Sequence, residues 1–323
     1  MRRREFIAAA GAAALWPLAT HAETGRPKKI GIFLVGATLP ARDLEIVKEL
    51  AKLGYVDGRN VTYAIRGDDG TADLDRVARD LVGSAPDILV GAGSDLAYSL
   101  VEATHDIPIV VTAVADPVDT GLTGSLSRPT RNVTGFTISS TSLATKRLDM
   151  LRQLVPGLHK VGWLWSASRV MSALQVTDQL QRAAAQFGLD LVSLPVRSGA
   201  EIASAFEQAD KEGAKAILTD ANPLSVQFGA IIADECQVRD LPLMDPWPSQ
   251  IQNGALAAYG PARVENLKGA AAYVDRILKG ARLADLPFVE PTEVKLAINL
   301  KTARSIGVTV PANLLALADE VIE

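Results

Sequence analysis

The sequence predicts an α/β protein with two lobes, each built on a doubly wound parallel sheet. Two observations lead to this fold class. From about residue 28 onward, short apolar runs alternate with longer amphipathic segments, and the alternation runs through two successive series of similar length. Short apolar runs suit strands buried on both faces, and helices between them imply right-handed crossovers within a parallel sheet. A chain of 323 residues is long enough to bury two cores.

The first series supplies the elements of one sheet. Strands are predicted at residues 29–35, 61–66, 87–91 and 107–113, and helices at residues 43–53, 72–82 and 95–104. In the first of these helices, Leu44, Val47 and Leu50 fall on one face, as in an amphipathic helix that packs against a sheet. A stretch punctuated by glycine then leads to Ser127.

The second series supplies another sheet. This series begins after a strand predicted at residues 133–138. Its own strands are predicted at residues 161–165, 189–196, 214–219, 241–244 and 255–259, and its helices at residues 143–155, 171–187, 200–212 and 225–238. The tail does not continue this succession, because a helix at 262–278 precedes a strand-like run at 294–300 and a short helix near Thr302. A chain that returns to the first lobe and then crosses again accounts for this order.

Residues 1–22 have the parts of a cleavable signal peptide. The adjacent Arg3 and Arg4 are followed by an uncharged run at 6–19 and by a small-residue cleavage site after Ala22. The apolar run is too short to span a bilayer. The arginine pair favours twin-arginine export, and an ordinary secretory signal is the alternative. We expect the mature protein in the periplasm, not inserted in the membrane.

Composition excludes several classes of protein. The formal net charge is −4, and no cluster of Lys and Arg follows Lys29, so nucleic-acid binding is not expected. The single cysteine, Cys236, lies in an apolar helical stretch and is predicted to be a buried small hydrophobe. The histidines are far apart at His21, His105 and His159, so no metal site and no cofactor are expected.

Candidate ligand-binding residues follow the predicted strands. In open α/β sheets a ligand binds beyond the carboxyl ends of the strands, and two such sheets facing each other form a cleft. The loops at these strand ends are rich in polar residues. The candidates are Thr38, Ser94, Asp95, Asp116, Ser166, Asp220, Asn222, Asp245, Trp247 and Tyr259.

Ser94 has two interpretations. It precedes a predicted helix, so its hydroxyl can act as a helix N-cap. The free N–H groups of that helix end also suit a ligand carboxylate, with Gly91 and Gly93 allowing close approach. No phosphate-loop Lys-Ser/Thr pair accompanies these glycines, which argues against a nucleotide site.

The three acids Asp116, Asp220 and Asp245 also have more than one interpretation. Each follows an apolar strand beside Pro, Asn or Ala, where Asp commonly forms turns and caps. Together they can accept a ligand ammonium group, which needs a negative partner when it leaves water. A pair of carboxyl groups at a defined separation would also suit a hydrolase, and nothing in the sequence sets that separation.

Two tryptophans differ in their surroundings. Trp163 lies inside a predicted strand and is predicted to belong to the core. Trp247 stands between Pro246 and Pro248, which stiffen its loop. Its ring can face a flat ligand or pack over the edge of the lobe.

Several segments of the chain resemble one family. They are GYVDGRNV at 54–61, IPIV at 107–110, DPV at 116–118, RNVTG at 131–135, KRL at 146–148, YGP at 259–261 and INLKTA at 298–303. In their order and spacing they resemble the substrate-binding proteins of ABC transporters of the tryptophan/tyrosine type. The resemblance covers nearly the whole chain after the signal. It implies the type I periplasmic binding fold, with two lobes joined by three crossovers that close on a small ligand.

The resemblance also implies lobe limits and partners. The crossovers are expected near 133–138, near 257–261 and between 286 and 298, with Tyr259 as both hinge and cleft wall. The first lobe then comprises residues 28–138 plus 260–288, and the second comprises 139–259 plus 289–323. The expected protein is not an enzyme. It is a monomer that gives an amino-acid-like or carboxylated ligand, aromatic ones included, to an ABC permease. An exported hydrolase and a periplasmic sensor for a membrane receptor are the alternatives.

Overall fold

The computed structural model describes residues 26–35, 40–68, 73–167, 170–261 and 263–323. The predicted signal peptide at 1–22 and the candidate Thr38 lie outside these residues. Within the described ranges, no helix combines the length and the apolar character that crossing a membrane requires.

The first sheet, as far as the chain is described, has five parallel strands. They are β1 (Lys28–Val35), β2 (Val61–Asp68), β3 (Ile88–Gly91), β4 (Ile109–Val114) and β5 (Val133–Thr137). Their spatial order is β2-β1-β3-β4-β5. The strands of the first predicted series therefore form one sheet, and β5 completes it.

The second sheet has seven strands among the described residues. They are β6 (Lys160–Ser166), β7 (Asp190–Val196), β8 (Ile217–Thr219), β9 (Leu243–Asp245), β10 (Ala257–Pro261), β11 (Val294–Asn299) and β12 (Glu320–Ile322). Their order is β12-β11-β10-β9-β8-β6-β7. Strands β6 to β10 run parallel, whereas β11 is antiparallel to β10.

Helices cover both faces of each sheet. They are α1 (Glu45–Lys52), α2 (Leu74–Gly83), α3 (Ser94–Ala103), α4 (Ser140–Leu154), α5 (Val170–Gln186), α6 (Ile202–Glu212), α7 (Pro223–Gln227), α8 (Gly229–Val238), α9 (Arg263–Leu278), α10 (Leu300–Ser305) and α11 (Ala312–Ala316). On the first sheet, α1 and α9 share one face, and α2 and α3 pack on the other. On the second sheet, α4, α5 and α10 oppose α6 and α8.

The described chain passes between the two sheets three times. Strand β5 leads into α4 of the second lobe, and β10 leads back into α9, which packs against β4 and β5. Val289 then bridges to Phe136 beside β5 before the chain enters β11. The predicted fold class, two α/β lobes joined by three crossovers, is confirmed. The residue limits assigned to each lobe stay a prediction.

Two elements differ from the sequence-based expectation. The second sheet is not wholly parallel, because β11 starts at the same edge where β10 ends and must therefore run the opposite way. The single helix expected at 225–238 is interrupted at Phe228, whose φ of −110° and ψ of 15° separate α7 from α8.

The core contains the residues that the sequence assigned to it. Trp163 is fully buried, and its Nε1 donates a hydrogen bond to Thr177 Oγ1 at 3.0 Å, which satisfies the indole N–H. Cys236 is a buried free thiol on α8. Both predictions are confirmed.

Gly135 is the glycine of β5 that the first sheet requires. Its φ is 147°, and an added Cβ would lie 2.0 Å from the Val111 carbonyl oxygen. We expect Gly135→Ala to lower the free energy of unfolding by about 2 kcal/mol or more. Urea unfolding followed by far-ultraviolet circular dichroism measures the change.

The matched control is Gly83→Ala at the end of α2. An added Cβ there would meet nothing within 4 Å, so the substitution should be neutral or stabilise slightly. Equal unfolding midpoints for the two variants would contradict the tight packing at Gly135.

Candidate functional site

The carboxyl edge of the first sheet carries the N-terminus of α3. Gly93, with a φ of 96°, is the N-cap, so the expectation that Ser94 caps this helix is wrong. Ser94 is the first helical residue, and its Oγ accepts a hydrogen bond from the Ala115 N–H at 2.9 Å. The hydroxyl thus ties α3 to the end of β4. The first N–H groups of a helix lack intrahelical partners and favour an anion.

Asp116 connects the first sheet to the first helix of the second lobe. Its Oδ2 accepts hydrogen bonds from the Thr141 N–H, at 3.1 Å, and from the Thr141 hydroxyl. Thr141 lies in the first turn of α4, whose N-cap residue Ser139 contributes no side-chain hydrogen bond. The backbone is left-handed at both Asp116 (φ 27°) and Ser139 (φ 45°). These contacts favour a capping role for Asp116 at the crossover.

Asp220 and Asp245 lie at the ends of the neighbouring strands β8 and β9. Asp245 is 1% exposed, and its carboxylate accepts hydrogen bonds from the Trp247 N–H at 2.8 Å and from Thr219 Oγ1 at 3.1 Å. Asp220 is 7% exposed and accepts a hydrogen bond from the Asn222 side-chain amide at 3.2 Å. Asp220 is therefore the more accessible of the two acids.

Arg147 on α4 brings a positive charge beneath this edge. The side chain is 1% exposed, and its Nη1 donates a hydrogen bond to the Tyr259 carbonyl oxygen at 3.1 Å. Its Nε is buried and has no hydrogen-bond partner among the described residues. Burial lowers the pKa of Arg147 to about 10, and the opposing charges of Asp220 and Asp245 limit the decrease. The guanidinium stays charged at neutral pH.

Burial is the largest cause of the pKa shifts of Asp220 and Asp245. It raises the pKa of Asp245 to about 7, against the hydrogen bonds from Trp247 and Thr219 and the charge of Arg147. Burial also raises the pKa of Asp220, which the Asn222 hydrogen bond and Arg147 oppose. The charge of Arg147 therefore lowers the pKa of both acids against the effect of burial.

Sequence reasoning missed Arg147 as a site residue. In the sequence, Arg147 stands within the KRL segment of the family resemblance. The available signal was its spacing, because Arg147 falls on the helix face formed by Ala144, Leu148 and Leu151, all of which are buried. A charged residue on an apolar stripe needs a buried partner.

Four of the remaining candidates lie in the second lobe, near its carboxyl edge. The Trp247 ring is 4% exposed and its Nε1 donates a hydrogen bond to Ser225 Oγ at 3.2 Å, which favours the packing alternative. Asn222 Oδ1 accepts from the Ser225 N–H at 2.9 Å. Ser166 is the last residue of β6, and Tyr259 lies in β10, two residues before its end. In the first lobe, half-buried Asp95 follows Ser94 in the first turn of α3.

Metal binding finds no support in the part of the chain that the structure describes. No group of three or more His, Cys, Asp or Glu side chains there is arranged to hold a metal ion. Among the described residues, the charged groups of the candidate site are the buried Arg147 and the buried acids Asp220 and Asp245, together with the N-terminus of α3.

The topology defines the class of protein. Two α/β lobes joined by three crossovers, with the carboxyl ends of their strands at the crossovers, form the type I periplasmic binding fold. Residues 30–322 match the family model for ABC transporter substrate binding protein. The chain belongs to this family.

Three proteins similar to this chain illustrate the comparison. A tyrosine-binding protein of Clostridioides difficile (strain R20291) is 26% identical over 288 residues, which are 88% of this chain and 82% of the relative. A conserved domain protein from Vibrio cholerae O1 biovar El Tor superposes with a TM-score of 0.83, at 26% identity, over 92% of this chain and 100% of that chain. An ABC domain from Streptococcus pneumoniae, solved with L-Trp, gives 0.80 at 26% identity with the same coverage.

Asp116 and Ser139 both have a left-handed backbone at the first crossover. Substitution by glycine should have opposite effects on stability at these two positions. Asp116→Gly suits the backbone but removes the cap on α4, so we expect a loss of about 1 kcal/mol in the free energy of unfolding. Ser139→Gly relieves the backbone and removes no capping bond, so stability should hold or rise. Thermal unfolding of both variants tests this, and equal losses would contradict the capping role.

Proposed function

We propose that this protein is an exported solute-binding protein that captures a small amino-acid-like ligand between its lobes and delivers it to an ABC permease. One observation carries the proposal. The carboxyl edges of both sheets adjoin the same crossovers, so their polar residues flank one cleft. Family membership supports a binding role over the hydrolase alternative.

The two edges offer complementary charges to a zwitterion. On the first lobe, the N-terminus of α3 suits a carboxylate, because its N–H groups and helix dipole favour negative charge. On the second lobe, Asp220 and Asp245 suit an ammonium group. A ligand that carries both groups then bridges the lobes. The tyrosine-binding relative and the relative solved with L-Trp support an amino acid, aromatic ones included.

Other candidates complete the proposed site. Asp95 extends the first edge, and Ser166 and Asn222 extend the second. Thr38 is included for its position in the sequence shortly after the first predicted strand. Tyr259 lies near the second crossover, where it can act as hinge and cleft wall. Trp247 supports the second edge through its hydrogen bonds, and Asp116 acts at the first crossover.

Lobe closure couples ligand capture to delivery. Contacts made by both lobes to one ligand exist only in the closed form, so the ligand shifts the population toward closure by that difference in affinity. The permease then recognises the closed protein. We propose that the mature protein does this as a monomer in the periplasm, after a signal peptide at 1–22 is removed.

A panel of truncated ligands tests the charge assignment. L-tryptophan and L-tyrosine should bind, whereas tryptamine, without the carboxylate, and indole-3-propionate, without the amine, should each bind at least about tenfold more weakly. Titration calorimetry on the mature protein measures the affinities. If amino acids and aromatic acids give neither heat nor a change in melting temperature, the proposed ligand class is wrong.

A matched pair of variants assigns the ammonium to the second lobe. Asp220→Asn should weaken L-tryptophan binding but change indole-3-propionate binding little, because only the former carries the cation. Asp234→Asn, an exposed change on α8, controls for the loss of one negative charge. An equal loss for both ligands would place the ammonium elsewhere.

The export route has its own test. Residues 1–30 fused to a reporter should lose twin-arginine export when Arg3 and Arg4 become Lys. Fractionation of cells into cytoplasm and periplasm measures the change. Unchanged export would indicate an ordinary secretory signal.

A further inference from the structure

The second lobe has a charge imbalance beneath its carboxyl edge. Arg147 on α4 faces two acids, Asp220 and Asp245, at the ends of neighbouring strands. All three side chains are at least nine-tenths buried. One cation therefore balances only one of two carboxylates, and a second buried negative charge is costly without a partner.

No other described group supplies the missing positive charge. Tyr259 of β10 and Cys236 of α8 also face this cluster. Burial raises the pKa of the Cys236 thiol well above its usual value, so the thiol stays neutral. Beyond Cys236, Arg239 is already paired with Glu235 and Asp210.

Arg147 also holds the backbone beside the second crossover. Its Nη1 donates a hydrogen bond to the carbonyl oxygen of Tyr259, in the strand that leads into α9. At Gly260, an added Cβ would lie 1.9 Å from the Pro246 carbonyl oxygen, so β10 packs directly against the loop after Asp245. The guanidinium thus contacts β10, the strand that packs against the loop after Asp245.

We propose that Arg147 is a positioning residue that sets the charge of the ligand site, balancing one of Asp220 and Asp245 and leaving the other to exchange a proton for the ligand's ammonium group. The inference rests on the proposed function, because it requires an amine-bearing ligand. Without ligand, the pair shares one proton near neutral pH. When the ammonium binds, the carboxyl O–H bond breaks, the carboxylate pairs with the ammonium, and the proton leaves to solvent.

Proton release gives a direct measurement on the wild-type protein. Titration of L-tryptophan in two buffers of different ionisation enthalpy should show release of close to one proton at pH 6, and less as the pH rises above 7. Over the same range affinity should rise with pH and then level off. Binding without proton release at pH 6 would overturn the proposal.

Three variants separate charge from shape. Arg147→Met keeps the length of an apolar stem but removes the cation, so the pair should hold its proton to higher pH. At pH 7, binding of L-tryptophan should weaken about tenfold for each unit by which the pKa of the pair rises. Arg147→Lys keeps the charge and should restore the wild-type pH profile. Arg152→Met removes an exposed cation from the same helix and is the control.

Proton release and affinity profiles that are the same in Arg147→Met and the wild type would overturn the proposal. Loss of binding in both Arg147 variants with unchanged pH dependence would also overturn it, since that pattern indicates a purely structural role.

A ligand-free measurement distinguishes failure of this inference from failure of the proposed function. An acid whose pKa is raised by folding stabilises the folded state at low pH, and this stability is lost as the pH rises through the raised pKa. The wild-type melting temperature should therefore fall toward pH 7, and that of Arg147→Met should continue to fall above pH 7. In Asp245→Asn, the melting temperature should change much less with pH than it does in the wild type.

If no amino acid binds, the ligand proposal fails while the melting profiles still test Arg147. If Arg147→Met does not fold, the dependence of melting temperature on pH is compared among the wild type, Arg147→Lys and Asp245→Asn, and this comparison tests the charge assignment. A flat wild-type profile, or an unaltered slope in Asp245→Asn, would overturn the charge assignment.

Discussion

The three passages between the sheets all adjoin the carboxyl edge of the parallel strands, and the rest of the structure depends on this constraint. A parallel strand ends where its loop or helix begins, so leaving β5 for α4 and β10 for α9 brings both carboxyl edges to the crossovers. The third passage enters β11 at that same edge, which makes β11 antiparallel to β10. Polar strand ends thus lie at the crossovers, while both faces of each sheet remain free for apolar packing.

The crossovers are held by contacts that link distant parts of the chain. Asp116, after β4, caps α4 through Thr141, and the backbone at Ser139 is left-handed between them. Val289 extends the first sheet beside Phe136 before the chain returns to the second lobe. Hinges between lobes are formed by a few residues that absorb changes in backbone angle. The Asp116–Thr141 contact and the left-handed Ser139 lie in the first crossover, where such a hinge would be located.

The second edge differs from the first in how it handles charge. The first edge offers a helix N-terminus, a partial positive charge that needs no ionised side chain. The second edge buries Arg147 with two acids, and burial raises the pKa of both acids. A buried cation with an excess of acid is stable as a protonated pair or with a bound cation, which makes a proton and an ammonium group alternative partners.

The sequence by itself determined what depends on local pattern. Apolar runs and helical periodicity identified the strands and helices, Trp163 and Cys236 were correctly placed in the core, and ordered family segments indicated the two-lobed fold. The tertiary structure alone decided which polar residues meet. Asp116 and Thr141 are 25 residues apart, and Arg147 meets Tyr259 across 112 residues. The sequence left open whether Trp247 faces a ligand or packs over the lobe edge, and the structure buries its ring and pairs its Nε1 with Ser225 of the same lobe. Such contacts depend on how helices pack on sheets and where the chain crosses, and no local period encodes either.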